Sequence, residues 1–173
     1  MKIAFKYGLT AGIGIALWGM LDYFLLYKTF LSKISIFVDL IVLFTLIYKG
    51  VRAIKKDQFK DEITFSQASL SGVQVSLFAS FVVGLLTFAY YSVGNKDYEN
   101  FYIRQTIEIM TSRKMPDIEK YVGELKTRFQ PLTQAQGTFF STMLFGTVFS
   151  FVLAILIRNK TPEPSLRNSN NNN

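Results

Sequence analysis

Two carboxylates are the residues in this chain best placed to do chemistry. Asp22 and Asp39 stand within stretches that are otherwise nearly free of charge. A charge in hydrocarbon costs at least about 2.5 kcal/mol on insertion scales, so an intramembrane Asp is a functional candidate by default. Their spacing adds a geometry. A tight turn near Phe30 and Leu31 is almost equidistant from the two. An antiparallel hairpin would then hold both at similar depth, roughly 13 Å below the turn at about 1.5 Å per residue. Facing each other, two like charges would share one proton near neutral pH, which suits a proton relay or a cation site. There are two plainer alternatives: either Asp reaches water at the interface, or each is neutralised by hydroxyls and amides such as Gln74.

Small residues form the second pattern. Gly8, Gly12 and Ala16 recur at intervals of four, with Gly19 three further on. Gly72, Ser76, Ser80 and Gly84 repeat the interval, as do Gly146, Ser150 and Ala154. Each row lays a flat stripe along one helix face, where another backbone can come close. Packing within a monomeric four-helix bundle is the plain reading, and a homo-oligomer joined through one stripe is the alternative. On the third span this turns Gly72, Ser76, Ser80 and Gly84 inward and leaves Phe78, Phe81 and Leu85 toward lipid.

Other chemistries lack their residues. The chain has no Cys and no His. That removes disulfides, thiolate metal sites, thiol nucleophiles, the usual general base and the HExxH-type motifs. Intramembrane aspartyl proteases use a Gly-x-Gly-Asp motif, whereas Asp39 follows Ile36-Phe37-Val38 and Asp22 follows Gly19-Met20-Leu21. No P-loop and no dinucleotide fingerprint is present. The expectation is a non-enzymatic protein with no cofactor and no metal.

The elements that carry these residues follow from composition. Of 173 residues half are hydrophobic and 16% aromatic, and the formal charge is +7. Spanning a bilayer takes about 20 mostly apolar residues. Four segments meet that length, near residues 7–27, 30–48, 68–93 and 138–157. The fold class expected is an all-α integral membrane four-helix bundle, residues 1–160. The first span is too long for a signal peptide, and no small-x-small cleavage site follows Tyr27. Four spans place the N-terminus, the middle loop and the C-terminus on one side. Ten of the nineteen basic residues lie there: Lys2, Lys6, Lys49, Arg52, Lys55, Lys56, Lys60, Arg158, Lys160 and Arg167. The positive-inside rule makes that side cytoplasmic, in a cytoplasmic (inner) membrane. The same charge needs no nucleic acid to explain it, and the partner expected is the lipid bilayer. Tyr23, Tyr27, Tyr90 and Tyr91 fall near the outer span ends and Tyr7 and Tyr48 near the inner ends, the pattern of an interfacial belt.

Between the third and fourth spans, residues 95–136 read as two amphipathic helices. Pro116 and Asp117 mark the start of the second. Its apolar face is Ile118, Tyr121, Val122, Leu125 and Phe129, and the first carries the narrower stripe Ile103, Ile107, Met110. The Asn-rich tail, residues 161–173, reads as disordered.

The opening Lys6-Tyr7-Gly8-Leu9, the stretch Ile63-Thr64-Phe65-Ser66-Gln67-Ala68 followed by Gly72, and the charged helical segment before the last span resemble domain-of-unknown-function family 4199. The resemblance covers about residues 1–160 and implies a small four-span bacterial membrane protein. It brings no activity or catalytic residue. The first expectation for function is a structural or interaction role in the cell envelope. Its rival is a small proton- or cation-coupled transporter or channel subunit, acting as a dimer through Asp22 and Asp39. For topology, reporter fusions at Gln58 and Glu108 should report cytoplasm and exterior respectively; the reverse would overturn the orientation, and identical signals the span count.

Overall fold

A computed structural model describes residues 1–159. Its helices are α1 (Lys2–Leu21, continued by a π-helical turn, Asp22–Leu26), α2 (Phe30–Gln58), α3 (Phe65–Val93), α4 (Lys96–Ser112), α5 (Ile118–Arg128) and α6 (Pro131–Ile157). The described residues are all-α and contain no strand. Four helices, Lys2–Leu26, Phe30–Gln58, Phe65–Val93 and Pro131–Ile157, are long and apolar enough to cross a membrane. The chain is therefore a multi-pass membrane protein. The tail expected to be disordered lies outside the described residues.

Local chemistry sets the helix ends. Thr64 Oγ1 accepts from the Gln67 N–H at 3.3 Å, while Gln67 Oε1 accepts from the Thr64 N–H at 3.0 Å. This reciprocal capping box satisfies two backbone donors and starts α3. Asn95 caps α4 by accepting from the Tyr98 N–H at 3.3 Å. Pro131 occupies the first turn of α6, where its missing N–H costs nothing.

Several boundaries differ from the sequence reading; α6 already begins at Pro131, within the segment 95–136 read as lying between the spans. The basic loop expected from Lys49 is helical to Gln58. Gly50, Val51 and Ile54 prolong the buried face of α2, and Lys55 and Lys56 in its last turn meet the negative end of the helix dipole. The turn expected near Phe30 and Leu31 lies at Tyr27–Thr29, and Phe30 already belongs to α2. Thr29 closes the turn, donating to the Leu26 carbonyl from its N–H at 2.8 Å and its hydroxyl at 2.7 Å.

The centre of the bundle is α3, which packs most extensively on α6 and next on α1. Along the antiparallel α3–α6 seam Gly72 sits against Ser150 and Gly146 against Ser76, so a methyl group on either glycine would overlap the serine side chain. The serines remain small because their hydroxyls turn back onto their own helices: Ser76 to the Gly72 carbonyl at 2.9 Å, Ser80 to Ser76 at 2.7 Å and Ser150 to Gly146 at 2.6 Å. Further out, Gly84 meets Phe139 and Ala135. On the parallel α1–α3 seam Gly8 lies against Val75 and Phe78, and Gly12 against Ala79 and Val82. Ala16 and Ala154 are buried, and Gly19 faces the Tyr90 hydroxyl. All three rows of small residues are thus in contact within one chain. On α3, Phe81 and Leu85 point outward, but Phe78 does not join them. It is half-buried, covering Gly8 and packing edge-on against Phe5.

The end that holds the chain start is locked by hydrogen bonds between distant segments. Ile63 N–H donates to Asn159 Oδ1 at 3.2 Å, and Asn159 N–H returns to the Ile63 carbonyl at 3.0 Å. Lys55 Nζ donates to the Ile157 carbonyl at 3.1 Å, capping α6. At the opposite end α4 and α5 pack on each other.

Ser80→Leu should destabilise the protein in detergent by about 1–3 kcal/mol, because it inserts bulk into a seam with no space. Phe81→Leu, on the outward face, should change stability by less than about 0.5 kcal/mol. Thermal unfolding of both variants in one detergent checks this; equal tolerance would contradict the assigned face.

Candidate functional site

Asp22 and Asp39 line one cavity of about 150 Å³ in the end of the bundle remote from the chain start. Their distances from the turn are unequal: Asp22 lies six residues before Lys28 and Asp39 eleven after it. At about 1.5 Å per residue the offset between their backbones is roughly 8 Å. Side-chain direction offsets it. Helical side chains lean toward their own N-terminus. On α1 that lean takes Asp22 away from the turn, and on α2 it takes Asp39 toward the turn, so the carboxylates converge. The π-helical turn begins at Asp22 itself, and such widened turns recur at functional sites.

The polar atoms around the pair come from four helices. Ser35 comes from α2, Thr87, Tyr90 and Tyr91 from α3, Thr138 from α6 and Tyr98 from α4. Several of these groups already have partners. Trp18 Nε1 donates to Ser35 Oγ at 2.6 Å, tying α1 to α2, and Thr87 Oγ1 donates to the Tyr90 hydroxyl at 3.5 Å. The carboxylates do not. Three buried side-chain oxygens lack a hydrogen-bond partner among the described residues, and two of them are Asp22 Oδ1 and Asp39 Oδ1, the third being Ser69 Oγ. An unpartnered buried acceptor is costly, by about 1–3 kcal/mol and more when charged. The cavity can answer that need, since a water takes about 30 Å³ and the space has room for several. Gln74, named in one of the plainer alternatives as a neutralising amide, is not in the cavity wall.

Aromatic rings roof the cavity. Tyr23 is 2% exposed and packs against Tyr90, Tyr91 and Tyr98, with centroids 5.5, 4.4 and 4.6 Å away. Tyr98 continues the layer to Tyr27, Tyr102 and Phe129. Burial pushes the Tyr98 phenol above its ordinary value, with the neighbouring Asp22 adding in the same sense, so it remains a neutral group. The sequence reading put Tyr23, Tyr27, Tyr90 and Tyr91 in an interfacial belt, but Tyr23, Tyr27 and Tyr90 are buried in this cluster. Asn95 fastens the roof down: its N–H donates to the Tyr23 hydroxyl at 2.8 Å and its Nδ2 to the Tyr23 carbonyl at 2.7 Å.

Asp39 and Thr138 also border a second space, a groove of about 310 Å³ between α2 and α6. One wall is apolar, with Ile36, Leu40 and Leu43. The other carries Gln134, Thr138, Ser141 and Thr142. Their spacing of four, three and one residues is a polar stripe on one face of α6. The sequence analysis missed this stripe because it read the start of that span only by its lack of charge.

Removing the Tyr23 hydroxyl should loosen the roof without unfolding the bundle. In Tyr23→Phe, amide exchange across Asn95–Phe101 should rise about fivefold, matching the roughly 1 kcal/mol net value of one hydrogen bond. Exchange in the core of α3 should stay unchanged.

No curated protein and no solved structure matches this chain. Residues 6–159 match the family described as Protein of unknown function (DUF4199). That span includes the capping box, both carboxylates, the aromatic roof and nearly all of the four long helices, and the chain belongs to this family of proteins of unknown function.

Proposed function

We propose that the protein binds a proton or a small cation within the membrane at Asp22 and Asp39, and works as a small proton- or cation-coupled transport protein. The observation that carries this reading is the pair of buried, unpartnered carboxylate oxygens facing one polar cavity. In a bilayer two ionised carboxylates without partners are untenable, so a proton or cation completes the site. The hydroxyls of Ser35, Thr87 and Thr138 supply further oxygen ligands, which suits a hard cation or a proton carried by water. The groove between α2 and α6 gives Asp39 a second approach besides the roofed side.

The orientation proposed for this role keeps both termini cytoplasmic, in the cytoplasmic membrane of a bacterium, with α4 and α5 outside. It rests on the ten basic residues that the order of four spans assigns to one side, eight of them among the described residues.

A role in envelope interaction has one observation in its favour. No residue of α5 is buried, and Tyr121 is 47% exposed on a helix whose apolar residues share a face. The two readings separate at the carboxylates. If the pair carries the function, Asp39→Asn and Asp22→Asn should abolish proton or sodium flux in proteoliposomes, read by a pH-sensitive or sodium-sensitive dye. Helicity and gel-filtration profile should be unchanged. Wild-type vesicles no leakier than empty ones to protons, sodium and potassium, under gradients of either sign, would overturn the transport reading.

A further inference from the structure

At the other end of the bundle a wide cleft of about 900 Å³ opens between the start of α1, the last turns of α2 and the end of α6. It lies far from the carboxylate cavity and plays no part in the function proposed above. Four basic residues border it, Lys49, Arg52, Lys55 and Lys56, against one acid, Asp61. They occupy this surface because α2 stays helical to Gln58, beyond its apolar stretch. Lys55 is already committed, since its Nζ caps the Ile157 carbonyl at 3.1 Å. Lys49, Arg52 and Lys56 remain, at intervals of three and four, so they share one helix face. Arg52 is held in place: its Nη1 donates to the Tyr48 hydroxyl at 3.1 Å, and its guanidinium lies 5.6 Å from the Tyr48 ring centroid. The remaining walls are apolar or amphipathic, with Tyr7, Leu156 and Ile157. Tyr7 and Tyr48 have the interfacial character that the buried tyrosines of the other end lack.

We infer that this cleft holds the phosphate of an anionic phospholipid, with Lys49, Arg52 and Lys56 around the headgroup and an acyl chain running along Leu156. A guanidinium fork already oriented by a tyrosine suits phosphate oxygens, and flanking ammonium groups supply charge from either side. An apolar wall continuous with the outer surface of α6 distinguishes a lipid from a soluble phosphate, which would gain nothing from it. A cluster of basic residues immediately beside a span is the pattern that selects anionic lipid.

The test is native mass spectrometry of the full chain released from detergent with phosphatidylglycerol or phosphatidylcholine added. Wild type should retain phosphatidylglycerol preferentially. A charge-assisted hydrogen bond lost from a bound phosphate costs roughly tenfold in affinity, so Lys49→Gln, Arg52→Gln and Lys56→Gln together should weaken retention by at least tenfold. A control with the same charge change outside the cleft, Lys2→Gln, Lys6→Gln and Lys60→Gln, should retain the lipid. Arg52→Lys keeps the charge and loses the fork, and should weaken retention by several-fold. Equal loss in the cleft and control variants would reduce the effect to bulk charge and overturn the site. So would wild type without a preference for phosphatidylglycerol, or displacement of the lipid by millimolar inorganic phosphate, which would mark a soluble-phosphate site instead. Since neither Asp is touched, the flux assay can fail without bearing on this result, and the reverse.

Discussion

Everything in this structure hangs on how closely α3 can approach its neighbours. Lipid tails are as apolar as leucine, so helices in a membrane gain little by simply hiding apolar surface from lipid, and close van der Waals packing must take over. The α3–α6 seam supplies it through glycine set against serine, Gly72 with Ser150 and Ser76 with Gly146. Serine suits the position only because its hydroxyl is satisfied by the carbonyl one turn earlier. It then behaves as a residue scarcely larger than alanine with no unmet hydrogen bond. The α1–α3 seam uses Gly8 and Gly12 in the same way, against the backbone and branched side chains of the opposing helix. With α1 and α6 both drawn against it, α3 is the reference from which the remaining elements take their position.

That tight centre explains where space remains. α2 is the least constrained of the long helices. It touches α6 through Phe44 and Phe149, whose rings meet edge-on at 5.3 Å, and through the Lys55 cap on Ile157. Between Ile36 and Leu43 it stands off from the polar stripe of α6, and the groove bordering Asp39 fills the gap. The carboxylate cavity is the inward extension of the same divergence. It is closed from above because α4 returns over the bundle and lays Tyr98 on Tyr23 and Tyr91. A polar space with unsatisfied acceptors can thus persist beside a close-packed seam.

Much of this was legible in the sequence, and what escaped it has specific physical causes. Apolar runs with few or no charges located the four long helices because crossing a bilayer is a matter of length and charge, both of which a sequence displays directly. The rows at Gly8, Gly72 and Gly146 were visible because an interval of four marks one helix face. The end of α2 was misjudged because Lys49, Arg52, Lys55 and Lys56 were read only as unfit for lipid, although lysine and arginine are good helix formers. The tyrosines were misplaced because an amphipathic ring fits an interface or a hydrogen-bonded core equally well, and composition cannot choose between them. The spacing Thr64-x-x-Gln67 did carry the signature of a capping box and could have fixed the start of α3 exactly where it falls. Trp18 had no assigned role, because its partner Ser35 lies across the hairpin and no local pattern links them. The π-helical turn at Asp22–Leu26 has no proline or glycine to announce it.

The hairpin arithmetic assumed equal depth for Asp22 and Asp39, whereas they line one cavity from unequal depths. Counting residues from a turn assumes that two side chains meet only when their backbones lie at equal depth. The turn is earlier than assumed, so the backbones do not. What brings Asp22 and Asp39 to one cavity is the tilt of helical side chains toward the N-terminus, which in an up–down hairpin points the two chains at each other whenever the ascending residue is the nearer to the turn. Reversing the order, with the descending residue nearer, would point them apart by the same amount. The pair's geometry thus follows from chain direction as much as from spacing. A carboxylate moved one turn along either helix would change both its depth and its alignment with the other, which leaves few positions on this hairpin from which two acids could share one cavity.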